Sequence, residues 1–101
     1  MVANALTRHD PRMTSLHIEH TVNDLELWLE TFRSFDDFRA KGGVKAVQVR
    51  HEVDNPNYVA VDLDFESVAE AHAFLGQLET QIWPNAPHFD GVPTAHVFET
   101  I

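Results

Sequence analysis

Apolar and polar residues alternate from Ser15 onward: Leu16, Ile18 and Val22 point one way, and His17, Glu19 and Thr21 the other. This pattern predicts a strand with one apolar face. Asn23 or Asp24 then caps a helix, with Glu26 in its first turn. Leu25, Trp28, Leu29, Phe32, Phe35 and Phe38 form a continuous apolar stripe, which predicts one amphipathic helix stopped by Gly42-Gly43. Two more strands follow. Val47 and Val49 alternate with Gln48 and Arg50, and Val59, Val61, Leu63 and Phe65 alternate with Tyr58, Ala60, Asp62 and Asp64. The turn-rich run from Val53 to Asn57 joins them as a hairpin. Keeping the valines on one face sets Arg50 opposite Ala60 or Asp62, and beside Asp62 in either register. Ser67-Val68-Ala69-Glu70 reads as a capping box opening a second helix. Its buried stripe is Val68, Ala71, Leu75, Leu78 and Ile82, with Phe74 beside it, and Pro84 ends it at or before Trp83. A turn-rich stretch leads to a last strand over Thr94–Ile101.

The order βαββαβ predicts an α+β domain with two right-handed crossovers. The sheet is four-stranded and antiparallel in the order 4-1-3-2, with both helices on one face. Residues 1–14 lack periodicity and contain Pro11, so they read as a flexible leader to a single domain over residues 15–101. The sheet face away from the helices carries His17, Glu19, Gln48, Arg50, Tyr58, Ala60, Asp62, His96 and Phe98. Nothing in the chain covers it, and it is neither cleanly polar nor apolar enough to be a second core. A closed twofold pair of such sheets, a homodimer, is the expected solution.

Composition narrows the partners. Seven Lys and Arg against sixteen Asp and Glu give a net charge of −9. That balance disfavours nucleic acid, which is bound through clustered cations, and disfavours anionic membranes for the same reason. No apolar run approaches the ~18–20 residues of a spanning helix. The start of the chain has no signal-peptide core, so a cytoplasmic setting is expected. The absence of cysteine excludes disulfides, thiolate catalysis and Cys-zinc sites. No Gly-x-Gly-x-x-Gly loop or nucleophile motif occurs.

Two constellations remain. His20 interrupts the apolar series of the first strand and so points to the helix side, where Trp28 faces it from the first helix. His51 has the same parity on the second strand and lies toward the same end of the sheet. Imidazoles and an indole rimming an apolar space suit a small-molecule site, and histidine is the natural base for a weakly acidic proton. Against this stands a layer-edge role, with the histidines solvated or bonded to backbone. On the opposite face, His17, Glu19, Arg50, Asp62 and His96 form either a polar network inside the dimer or, less simply, a metal site; the network reading is adopted. Trp83 and His88-Phe89, among prolines, act either as a lid or as apolar anchors for a long connection.

His20-Thr21-Val22, Asp24 and Trp28 together resemble the opening of the small dimeric α/β-barrel proteins, a superfamily that includes the antibiotic-biosynthesis monooxygenases and polyketide cyclases. Val49-Arg50, the Asp54–Asn57 turn, Asp64-Phe65-Glu66-Ser67, Ala69, Ala71 and Ala73-Phe74 extend the resemblance over residues 17–99. It implies a ferredoxin-like fold, pairing through the open sheet faces and a pocket between sheet and helices in each subunit. For the monooxygenases it implies neither metal nor flavin: an acidic substrate is deprotonated and its carbanion meets oxygen directly. His20 is then the candidate base, and Trp28, His51 and Phe65 are candidate substrate contacts on an aromatic or polyketide-like compound. A non-catalytic binding protein with the same pocket is the alternative. Haem-degrading relatives carry Trp where the third strand here ends in Phe65, and their helix histidine lies beyond His72, so the resemblance does not extend to haem.

Overall fold

The computed structural model describes residues 13–101. Strand β1 (Thr14–Val22) leads into helix α1 (Leu25–Ser34), a short helix α2 (Asp36–Lys41) and strands β2 (Ala46–Glu52) and β3 (Asn55–Phe65). Helix α3 (Val68–Gln77) continues as a π-helical turn (Leu78–Ile82) and a 3-10 turn (Trp83–Asn85) before strand β4 (Phe89–Phe98). The sheet is antiparallel in the order β2-β3-β1-β4, which is the expected 4-1-3-2 order read from the other edge. The leader assigned to residues 1–14 falls outside the described residues except for its last two, of which Thr14 already pairs with Phe65 in β1.

Strand parity holds throughout. Leu16, Ile18, Val22, Val59, Val61, Leu63 and Phe65 are buried beneath the helices with Trp28, Ala71 and Phe74. Arg50 stands opposite Ala60, as one of the two allowed registers requires. Asp24 caps α1 by accepting from the Leu27 N–H at 3.1 Å, and Ser67 caps α3 by accepting from the Glu70 N–H at 3.1 Å.

Three expectations are corrected. The first helix is not continuous: Phe35 leaves the helical region (φ −99°, ψ 15°) and α2 restarts at Asp36. Apolar residues three apart drift about 60° backward per step at 100° per residue, so a straight helix would carry Phe38 about 120° away from Phe32. The break brings Phe38 back onto the core, 5.4 Å from Phe74. On α3 the buried line is Ala71, Phe74 and Leu78, while Val68 is exposed. The α-helix proper ends at Gln77, before Trp83 as expected, and a widened turn over 78–82 carries the chain on toward Pro84. Finally, β4 runs from Phe89 to Phe98 rather than from Thr94 to Ile101. Its pairing with β1 shifts between Glu19 and Thr21, which lets an irregular Gly91-containing stretch remain in the strand (Gly91 φ 92°). Pro93 is tolerated because β4 is an edge strand.

Gly42 closes α2 against the core. A Cβ there would lie 2.5 Å from Cδ1 of Phe74, a buried ring with no room to retreat. Gly42 has an ordinary right-handed conformation (φ −79°), so only this clash opposes a side chain. Gly42→Ala is expected to destabilise by about 1–3 kcal/mol in urea unfolding; an unchanged midpoint would contradict the packing described.

Candidate functional site

The site begins with the irregularity in β4. Where β4 loses register with β1, Phe89 folds over the helix-side face and its ring lies 4.3 Å from His20. From the other side, Trp28 meets His20 edge-on at 5.3 Å and in turn packs against Phe32 at 5.1 Å. Phe35, Phe38, Phe74 and Trp83 extend this wall around a cavity of about 250 Å³. That volume is just below the ~300–1,000 Å³ of drug-sized sites, which suits a compound of two or three rings. The π-helical and 3-10 turns after α3 bring Gln81, Ile82, Trp83 and Asn85 to the rim, a frequent use of a widened turn. The polar residues in the lining are His20, Thr31, Arg39, Gln81 and Asn85.

His20 is 5% exposed, and its Nδ1 is a buried nitrogen with no hydrogen-bond partner among the described residues. Desolvation pushes its pKa down to about 4, with the Thr21 backbone working the other way. The imidazole is therefore neutral near pH 7. His20 thus brings to the cavity lining a neutral imidazole with an unpartnered nitrogen, the kind of group that can bond to a ligand or take a proton.

No protein-family model and no curated protein matches the chain. Solved structures do. A Bordetella bronchiseptica protein provisionally named an antibiotic biosynthesis monooxygenase superimposes with a TM-score of 0.68 at 12% identity, covering 88% of this chain and 97% of that one. SnoaB, a cofactor-independent oxygenase from Streptomyces nogalater, gives 0.68 at 14% identity, covering 88% and 93%. A dimeric ferredoxin-like protein from an uncultured marine organism gives 0.58 at 13% identity, covering 85% and 94%. The fold is the ferredoxin-like fold of the antibiotic biosynthesis monooxygenases. At these identities the likeness concerns the fold alone.

Within this fold, the structure brings His20 and Trp28 together at the cavity and leaves His51 and Phe65 out of its lining. His51 shares a row with His20 across Val59, but it is exposed on the edge strand and bonds the Glu52 carbonyl at 3.0 Å. Phe65 is wholly buried and packs on Phe74 at 5.5 Å. Trp83 and Phe89 both line the cavity. Arg39 was not anticipated there. No sequence signal places it there, because Phe32 and Arg39 lie on either side of the break at Phe35.

The opposite sheet face carries a connected polar chain. Tyr58 donates to Glu19 at 2.6 Å, His17 bonds Glu19 at 2.7 Å and Asp62 at 2.6 Å, and Arg50 donates to Asp62 at 2.7 Å. Both His17 nitrogens meet carboxylates, so the doubly protonated ring satisfies both bonds. Burial lowers the His17 pKa, but the bonds to Glu19 and Asp62 outweigh it and the net shift is upward. Glu19 is held below the usual carboxylate range, first by the Tyr58 hydroxyl and then by His17. His96 stands opposite His17 in β4 and packs against Phe98, which is 55% exposed. Among the described residues, no group of three or more His, Cys, Asp or Glu is arranged to hold a metal, and no helix is long and apolar enough to cross a membrane.

Proposed function

We propose that this protein binds a small, weakly acidic aromatic or polyketide-like compound and oxidises it without a cofactor. The observation that carries the reading is His20 in the lining of an aromatic cavity, with a buried Nδ1 that has no hydrogen-bond partner among the described residues. His20 takes a proton from an activated CH₂ of the substrate, and the carbanion reacts with O₂. The peroxide then collapses, so that CH₂ and O₂ become C=O and H₂O. The low pKa keeps the empty site in its base form, and the imidazolium–carbanion pair formed on proton transfer favours the charged ring. The aromatic wall holds the planar substrate and excludes water.

The test is oxygen uptake with a tricyclic ketone of the anthrone type, compared with anaerobic controls. Turnover is expected with an acid limb of kcat/KM near pH 4, set by His20 in the free protein, rather than near the ordinary histidine value of 6.5. A second reading has its own support, because a histidine this weakly basic also suits a binding protein that performs no chemistry. Saturable binding without oxygen uptake would select it.

The reading includes a homodimer formed through the open sheet face, supported by its exposed Phe98 beside a charge-balanced network. Glu19 and Asp62 are balanced by Arg50 and protonated His17. Loss of the His17 proton would leave an unbalanced negative charge between the sheets. Sedimentation equilibrium is expected to show a dimer at micromolar concentration that loosens as pH rises through the elevated His17 pKa. A monomer at every pH would reject the dimer.

A further inference from the structure

We infer that the cavity selects planar aromatic compounds that carry an anionic group, a carboxylate for instance, and that Arg39 grips that group. The inference rests on the cavity being a ligand site and goes on to name the ligand's charge. Among the described residues, Arg39 is the only Lys or Arg in the cavity lining, and neither Asp nor Glu lines it. Its side chain is 8% exposed, with the guanidinium carbon 3.8 Å above the Phe32 ring. A guanidinium has five N–H donors. Nη2 uses its two on the Phe32 carbonyl, at 2.7 Å, and on Asp36. Nε–H and both Nη1 protons have no acceptor among the described residues.

The paired carboxylate does not close the site. Asp36 is 76% exposed, so it neutralises Arg39 from the solvent side, where water screens the pair. Arg39, Phe32, Trp28 and His20 form a ladder in steps of 3.8, 5.1 and 5.3 Å. The guanidinium and the imidazole ring therefore stand at the two ends of one aromatic wall. A flat compound lying along this wall offers its anion to Arg39 and its other end to His20. Arg39 is thus a positioning residue, and it determines charge specificity in a protein whose overall charge is −9 and repels anions. Screening over ~8 Å at physiological salt lets the local cation prevail over that distant charge.

Calorimetric titration of the full chain with 2-naphthoate and with its neutral methyl ester, at pH 7.5 and physiological salt, tests the inference. The acid is expected to bind about 10–100-fold tighter than the ester, as a hydrogen bond to a charged group would give. Arg39→Met is expected to bring that ratio close to one while the ester still binds. Because Arg39→Met removes a buried tie to Phe32, Asp36→Asn, at an exposed position, serves as a counterpart that leaves the core intact. Freed from its competing carboxylate, Arg39 should then favour the acid by a further factor of about two to five. Equal affinities for acid and ester in the natural protein, a ratio that survives in folded Arg39→Met, or a ratio unmoved or lowered by Asp36→Asn would each overturn the inference while the cavity remained a ligand site. Binding of neither compound would overturn the ligand site and the inference together.

Discussion

His20→Phe is expected to lower turnover by about 100–10,000-fold, the usual contribution of a positioned base, while making the protein more resistant to acid. The two effects share one cause. In the unfolded chain His20 titrates at its ordinary value of 6.5, and in the folded protein burial lowers this to about 4. Between these values the unfolded state binds more protons, so the natural protein loses stability as pH falls from 6.5 toward 4. At 1.36 kcal/mol per unit this amounts to about 3 kcal/mol. Phenylalanine keeps the aromatic contacts with Trp28 and Phe89 and carries no proton. His17 and Glu19 also contribute to the pH profile: His17 stabilises below its raised pKa and loses that as pH rises, and Glu19 stabilises above its lowered pKa. The informative quantity is therefore the difference between variant and natural protein, measured by urea unfolding at pH 7 and pH 4. A difference that does not change with pH would show that His20 is not desolvated as described.

Phe74→Ala is expected to cost about 3–5 kcal/mol, the usual range for deleting a buried aromatic ring. Phe74 is 2% exposed and joins Phe38 of α2 to Phe65 of β3, at 5.4 and 5.5 Å. It is also a wall of the cavity, so the space it leaves is continuous with the site and cannot collapse onto a neighbour. For a domain whose whole stability is about 5–15 kcal/mol, this loss should shift the urea midpoint far enough to leave an unfolded fraction at mild denaturant. A ligand that fills the enlarged cavity should recover part of the loss, because binding only the folded state stabilises it. A cost below about 1 kcal/mol would mean that Phe74 is not the joint between the helices and the sheet.

The sequence by itself determined the strand faces. A period of two leaves each side chain one choice of face, so Leu16, Ile18 and Val22 had to lie under the helices with His20, and Arg50 had to neighbour Asp62. Two helices after the first and third strands then allowed only a right-handed crossover topology, and with it the strand order. The caps at Asp24 and Ser67 were equally legible, because capping is a contact within one turn.

Tertiary structure decided whatever depended on contacts between elements. The break at Phe35 appears because Phe38 must reach Phe74, and no local signal at Phe35 announces it. Phe74, not Val68, is buried on α3, because the sheet and α2 select the face that a short apolar helix presents. The register shift that sets Phe89 over His20 is a property of two paired strands and is carried by neither alone. Arg39 reads in sequence as a cation suited to a helix C-terminus. It becomes a buried wall of the cavity only because Phe32 lies beneath its guanidinium and the turns after α3 complete the wall.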